Sequence, residues 1–221
     1  MREAVEMLDH DPEEDRAKLY TAIGSAITAW VKVEDALAEI FQACLNPSWY
    51  VEPDGGPAEY LDVGLSTVME TTESFRARLA LIDAAMERVL SGLGPEGERI
   101  GNLWARERKK LSGPAGNRNK LAHWNVQRMV NDIRLVPPRW HSDSRGYFNL
   151  GKEGFTASDV AQWELSFDLA ANRLQAACRE LGALPELRRK LLEPAASLMR
   201  KLARHDPTEL SRLKRVLSFP D

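Results

Sequence analysis

The spacing of apolar residues through residues 17–45 is the feature that most constrains how this chain folds. The apolar positions recur mostly at steps of three and four residues: Leu19, Ile23, Ile27, Trp30, Val31, Leu37, Ile40, Phe41 and Cys44. Steps of this size place side chains on one side of an α-helix. The segment therefore predicts one long amphipathic helix, which Asn46-Pro47 is expected to end.

Helical spacing continues along most of the chain. It predicts further helices, separated by glycine and proline breaks, at about 65–91, 95–111, 115–125, 156–181 and 186–204. Thr156 and Asp159 have the spacing of a helix-capping pair. Two strand-like runs, at 133–136 and 147–150, flank a polar turn and predict a small β-hairpin. The predicted fold class is all-α: an antiparallel helical bundle with a small β-hairpin insertion around 132–151.

The length of the chain, 221 residues, suits one domain, alone or with an appendage. We expect a polar N-terminal segment at 1–16, a helical domain at 17–182 and a C-terminal helical extension at 183–221. No apolar run approaches the roughly 20 residues that a membrane span needs. The acidic N-terminus lacks the apolar core of a signal peptide. A cytoplasmic protein without a membrane partner is therefore expected.

Cysteine and histidine are sparse and scattered in this sequence. Cys44 and Cys178 lie alone within predicted helices, and the spacing of neither is that of a metal site. Isolated cysteines of this kind are typical of reduced, buried thiols. We therefore expect no metal site and no cofactor.

Charge is distributed unevenly along the chain. The net charge of −3 does not indicate a general nucleic-acid binder. Residues 106–128 nevertheless carry a single acid, Glu107, against seven basic side chains: Arg106, Arg108, Lys109, Lys110, Arg118, Lys120 and Arg128. Such a segment is either a solvated helix face or a local anion site. If it is an anion site, the residues expected to attract RNA are Arg106, Lys109, Lys110, Lys120 and Arg128.

A short motif lies inside this basic segment, at residues 118–123. It brings Arg118, Asn119 and His123 within six residues. A guanidinium can grip two phosphate oxygens at once, and an imidazole can move a proton near neutral pH. Two other Arg…His spacings occur, at 134–141 and 200–205. Prolines interrupt the first and a proline break follows the second, so only the 118–123 motif has both a polar neighbour and a helical prediction.

The 118–123 motif resembles the signature of the HEPN superfamily, the higher eukaryotes and prokaryotes nucleotide-binding domains. That signature is an arginine, four to six residues and a histidine, usually with a polar residue directly after the arginine. Arg118, Asn119 and His123 fill those places. The resemblance covers about residues 17–182, and the family is also built of helices.

Helix geometry limits how the motif can form a site. Residues five apart on a regular helix point about 140° away from each other, whereas residues four apart share a face. Arg118 and His123 therefore do not converge on one straight helix. Two arrangements would resolve this: the helix begins within the motif, or two copies of the chain meet across a two-fold axis. The resemblance implies the second arrangement, a homodimer with paired motifs.

The resemblance implies metal-independent RNA cleavage. His123 would move the proton of the ribose 2′-OH or of the leaving oxygen, Arg118 would stabilise the phosphoryl charge, and Asn119 would orient either group. It also implies a toxin or defence setting, with any antitoxin a separate protein. Two alternatives remain open: a non-catalytic module that binds nucleotide or RNA, and a helical interaction protein in which Arg118 and His123 are structural.

Overall fold

The computed structural model describes residues 11–45, 63–128, 132–137 and 154–184. Its elements are α1 (Pro12–Leu45), α2 (Val63–Thr71), α3 (Phe75–Leu90), α4 (Gly94–Lys110), α5 (Ser112–His123), β1 (Asn125–Arg128), β2 (Ile133–Val136) and α6 (Ala157–Gly182). Helices account for 82% of the described residues, so the predicted helical class is confirmed, as is the presence of a small antiparallel sheet. The predicted helix at 186–204 lies outside the described residues.

The chain divides into two compact units. The first comprises Met1–Ala38 and Leu103–Ala176, and the second comprises Glu39–Asn102 and Ala177–Asp221. All of the predicted site residues belong to the first unit. The predicted domain limits at 17 and 182 stay predictions.

The core of the first unit consists mainly of one side of α1 and one side of α6. Within this unit, the buried apolar side chains of these helices are Leu19, Ala26, Ala29, Trp30, Val33, Ala36, Leu37, Val160, Trp163, Phe167, Ala170, Ala171 and Leu174. Their three- and four-residue spacing is the pattern expected of amphipathic helices. Trp30 and Phe167 meet edge to face, with ring centroids 5.3 Å apart. This geometry is favourable for aromatic pairs.

The sheet of the first unit differs from the predicted hairpin. β2 is confirmed at 133–136, but its partner is β1, at residues predicted to be the end of a helix and its connection; the register pairs Val126 with Leu135. The predicted second strand at 147–150 lies outside the described residues. Leu135 also exchanges two backbone hydrogen bonds of 2.9 Å with Phe155 on the other side of β2. These bonds hold Phe155 beside the sheet.

Gly154 allows this close approach of Phe155 to β2. A Cβ atom at Gly154 would lie 3.0 Å from the Cγ1 atom of Val136 and 3.1 Å from the Cβ atom of Arg134. Any larger residue would therefore require the side chains of Val136 and Arg134 to shift by a few tenths of an ångström, and the φ angle of 154° at Gly154 is one that other residues rarely adopt. Both observations explain a glycine at this position.

Local capping confirms the predicted start of α6. The backbone amide of Thr156 donates to the Asp159 carboxylate at 2.8 Å, and the backbone amide of Asp159 donates to the Thr156 hydroxyl at 3.3 Å. This reciprocal pair is a capping box in which Asp replaces the usual Glu. It satisfies two amide groups that the first turn of a helix leaves without partners.

The second unit corrects one predicted helix. The stretch predicted at 65–91 is two helices, because the chain leaves the helical conformation between α2 and α3. Ser74 caps α3 by accepting a hydrogen bond from the backbone amide of Ala77 at 3.0 Å. Beyond α3, Gly92 and Gly94 adopt positive φ angles of 81° and 59°. Glycine does so without steric cost, which confirms the predicted stop.

Both cysteines are buried in the second unit and form no disulfide. Burial raises the pKa of Cys44 and of Cys178 to about 12. Both are therefore protonated thiols at neutral pH, as the sequence predicts.

Among the described helices, none is both long and apolar enough to cross a membrane.

Candidate functional site

The 118–123 motif lies within α5, which begins and ends earlier than predicted. The helix starts at Ser112 rather than near 115, and it ends at His123, where the Trp124 amide donates to the Lys120 carbonyl at 2.9 Å. Pro114 predicted a break before the helix, but it occupies the first turn. Proline is tolerated there because amides of that turn have no intrahelical acceptor.

Arg118, Asn119 and His123 are all exposed side chains of α5. None of the three side chains has a hydrogen bond or ion pair with another residue in the described ranges. If Arg118 and His123 had a structural role, Arg118 would form an ion pair and the ring of His123 would be buried. Within the described ranges Arg118 has no ion pair, and His123 is exposed. The three side chains are instead available to a partner or ligand.

Helix geometry separates Arg118 from His123. α5 is helical for six residues before Arg118, so the arrangement in which the helix begins within the motif is wrong. The two side chains therefore point about 140° apart in one copy, while Asn119 and His123 share a face. One copy alone does not bring the arginine and the histidine onto one phosphate.

The basic residues of α4 surround a buried acid. Glu107 is only 5% exposed. Its carboxylate accepts hydrogen bonds from Arg106 Nε at 2.9 Å and from Lys110 Nζ at 2.9 and 3.1 Å. Burial raises the pKa of Glu107, but these hydrogen bonds and positive charges lower it more, so that it lies below its ordinary value of 4.5. Arg106 and Lys110, both predicted to bind RNA, thus already balance one negative charge.

Lys120, also predicted to bind RNA, faces a cluster of aromatic rings. Its ammonium lies 4.6 Å from the centroid of Phe155, 5.4 Å from that of Trp163 and 5.8 Å from that of Trp124. It also donates a hydrogen bond to the Asn117 side-chain oxygen at 3.2 Å. A cation among ring faces is stabilised by the quadrupoles of the rings. This placement weighs against Lys120 as a phosphate ligand.

The sequence alone predicts only some of the contacts of Lys120. Asn117 lies three residues before Lys120 on α5, and Trp124 is the residue that directly follows the helix, four residues after Lys120, so both are near Lys120 for local reasons. Phe155 and Trp163 are distant in sequence and are brought to Lys120 by the β2 bridge and by α6. No local pattern signals that contact.

The two remaining predicted RNA contacts, Lys109 and Arg128, are exposed. Lys109 is in the last turn of α4, where a positive charge is favourable because the carbonyl end of a helix is partly negative. Arg128 ends β1, opposite Ile133 in the register. Neither side chain has an ion pair or a hydrogen bond within the described residues, although the backbone carbonyl of Lys109 accepts a hydrogen bond from Ser112 Oγ at 3.2 Å. These two residues, with Arg118, are the predicted basic contacts that the structure leaves open to an anion.

Comparison with known proteins adds no relative to this description. No family model, no curated protein and no solved structure matches the chain. Among the described residues, no group of histidine, cysteine and carboxylate side chains is arranged to hold a metal ion. Arg118, Asn119 and His123 provide a guanidinium, an amide and an imidazole group.

Proposed function

We propose that this protein is an HEPN-like RNA-binding protein that cleaves RNA without a metal when two copies pair their 118–123 motifs. The observation that supports the proposal is that Arg118, Asn119 and His123 are exposed on one helix and have no partner within the described residues. Charged and polar side chains with a structural role in a core are buried and have partners, whereas these three are exposed and free to contact a ligand. A cytoplasmic toxin or defence setting with a separate antitoxin belongs to the same proposal, by resemblance.

The cleavage step needs only a proton carrier and an anion clamp. His123 takes the proton from the ribose 2′-OH, whose oxygen attacks the adjacent phosphorus. The bond from phosphorus to the 5′-oxygen breaks, that oxygen takes a proton from water, and His123 returns its proton to the solvent, so no net proton is gained or lost. Arg118 stabilises the charge that gathers on the phosphoryl oxygens. The products are a 2′,3′-cyclic phosphate and a 5′-hydroxyl, and DNA is not cleaved because it lacks the nucleophile.

Two copies are required because of the angle between Arg118 and His123. A two-fold axis near α5 would place the arginine of one copy beside the histidine of the other. Each cleft would then hold a complete set of groups. A homodimer is therefore part of the proposed mechanism.

A non-catalytic RNA-binding module is the second candidate function. The angle of about 140° between Arg118 and His123 favours this candidate. In a single copy the two side chains can each contact a phosphate, but they do not meet at the same one. Arg118, Lys109 and Arg128 would still attract the RNA backbone, and the binding would weaken with added salt. Cleavage in the following experiment separates the two candidates.

The first prediction concerns His123→Ala. The purified protein should cleave single-stranded RNA in the presence of EDTA and leave 2′,3′-cyclic ends. His123→Ala should lower the rate about a hundredfold or more, since positioned proton transfer contributes on that scale. Its melting temperature should stay unchanged because the ring is exposed. The matched control is Gln162→Ala, an exposed polar residue of α6. Wild-type protein that binds RNA but never cleaves it would support the second candidate instead.

The second prediction tests the composite cleft. Arg118→Ala and His123→Ala protomers, each inactive alone, should regain about a quarter of wild-type activity when mixed, because half of the randomly formed dimers carry one intact cleft of two. The measurement is RNA cleavage after subunit exchange, with light scattering to establish the dimer. A mixture that stays inactive despite forming mixed dimers would exclude sites shared between copies.

A further inference from the structure

A cavity of about 280 Å³ lies in the first unit, among the end of α4, the first turn of α5 and the middle of α6. Its apolar wall includes Leu111, Leu169 and Leu174. Leu169 is 50% exposed, so this wall keeps apolar surface in contact with water. Covering such surface with a ligand is favourable. The size of the cavity suits a small molecule rather than a polymer.

The charged groups of the cavity leave one positive charge unbalanced. Glu107 and Lys110 both line it and form an ion pair with each other. Arg173 also lines it and has no ion pair with any residue of the described ranges. The carboxylate of Glu107 already accepts hydrogen bonds from two cations, so it does not offer a free cation site. The remaining attraction is for an anion at Arg173.

A buried hydroxyl in the same lining lacks a partner. Ser166 lines the cavity, and its Oγ atom is inaccessible and makes no hydrogen bond. Helical hydroxyls commonly donate to the carbonyl four residues earlier. Thr28 and Thr71 do so, at 3.0 and 2.7 Å. Ser166 does not, and an unsatisfied buried hydroxyl is costly. Because its Oγ atom has no accessible surface in this rotamer, a ligand oxygen would become its partner after the side chain rotates toward the cavity.

Two features of α5 add hydrogen-bond donors and a positive field. Asn117 also lines the cavity, and because its oxygen accepts from Lys120, its amide nitrogen is the group left without a partner among the described residues. Gly113 lines the cavity from the first turn of α5, and no side chain caps that turn. The first turn of a helix is the positive end of its dipole.

We propose that this cavity binds a small organic anion: a carboxylate or phosphomonoester head beside Arg173, Ser166 and Asn117, with an apolar body against Leu169 and its neighbours. The site is distinct from the proposed RNA site, because neither Arg118 nor His123 lines the cavity. The proposal stands whether or not the protein cleaves RNA. The shared chemistry is an anionic head with acceptor oxygens on an apolar body.

Titration calorimetry and thermal shift of the full chain test this proposal with four probes: hexanoate, phenyl phosphate, inorganic phosphate and hexan-1-ol. One or both organic anions should bind at least tenfold more tightly than hexan-1-ol, which has the apolar body without the charge. They should also bind more tightly than inorganic phosphate, which lacks the body. The tighter binder of hexanoate and phenyl phosphate shows whether the site prefers a carboxylate or a phosphomonoester head. Equal binding of hexan-1-ol, or no binding of either organic anion at millimolar concentration, would overturn the proposal.

Variants then locate the binding in this cavity. Arg173→Gln should weaken the binding of the preferred organic anion about tenfold or more, because it removes a charge-assisted hydrogen bond. Ser166→Ala should weaken it several-fold without lowering the melting temperature, since its hydroxyl has no partner to lose. Arg179→Gln, an exposed arginine of the same helix, and Arg118→Lys should leave it unchanged. Binding that survives both cavity substitutions, or is lost in Arg118→Lys, would place the anion elsewhere and overturn the assignment.

Discussion

The basic residues at the end of α4 and those on α5 are similar in sequence but differ in what surrounds them. On α4, Arg106 and Lys110 neutralise the buried Glu107. On α5, Lys120 is enclosed by aromatic rings, whereas Arg118 is exposed and has no partner within the described residues. The basic residues of α4 and α5 therefore fall into three groups: those that balance a buried carboxylate, one that packs against aromatic rings, and those whose side chains have no partner among the described residues. Only the free ones are suited to hold a ligand's phosphate without first losing another interaction.

The largest effect expected from this comparison concerns Arg118→Lys. The change keeps the charge but removes the planar fork that grips two phosphate oxygens. We expect a loss of about 1–3 kcal/mol in transition-state or RNA binding, as for a charge-assisted pair. Cleavage rates and filter binding measure it. The control, Lys109→Ala, should mainly reduce the salt dependence of RNA binding. If Arg118→Lys behaves like the wild type while Lys109→Ala abolishes function, the site lies on α4 rather than α5.

A somewhat smaller effect is expected for Glu107→Gln, and it concerns stability. Removing the buried charge leaves Arg106 and Lys110 unbalanced, but both are partly exposed, so we expect a loss of about 1–2 kcal/mol in the free energy of unfolding. Because the pKa of Glu107 lies below its ordinary value of 4.5 in the folded protein, its contribution is complete above that value and is lost as the pH falls through the folded pKa.

Denaturant unfolding between pH 3 and pH 7 checks this pH dependence. The wild type and Glu107→Gln should differ most near neutral pH and converge in acid. Glu98→Gln, an exposed glutamate of the same helix, should unfold like the wild type at every pH. A constant difference between Glu107→Gln and the wild type across the range would show that packing, rather than charge, accounts for the effect.

The smallest effect is expected for Lys120→Ala. Loss of the contacts to Phe155, Trp163 and Trp124 should lower the free energy of unfolding by about 1 kcal/mol. RNA binding should change little, because the ammonium is directed at the rings. Lys109→Ala should show the reverse: a smaller loss of stability than Lys120→Ala and weaker RNA binding at low salt. Comparable losses of RNA affinity in both variants would mean that Lys120 leaves the rings to contact phosphate.

Sequence spacing predicted the elements whose signals are local. The periodicity of α1, the Thr156–Asp159 capping box and the glycine stop after α3 each depend on residues within a few positions of one another. The divergence of Arg118 and His123 belongs to the same class, because it follows from the residues per turn of any regular helix. Where local prediction was wrong, a second local signal competed with the first: Ser74 caps a new helix inside an apolar stretch, and Pro114 is accommodated in a first turn.

The tertiary structure decided the contacts between distant segments. It paired β2 with β1 and with Phe155, placed Phe155 and Trp163 around Lys120, and brought Arg173 and Ser166 of α6 to the first turn of α5. Helical spacing states which residues share a face of one element, but not which face of another element packs against it. That choice depends on shape and burial summed over the whole unit, so the burial of Glu107 and the rings around Lys120 were set by packing, whereas the contacts of Arg106 and Lys110 with Glu107 follow from their spacing on α4.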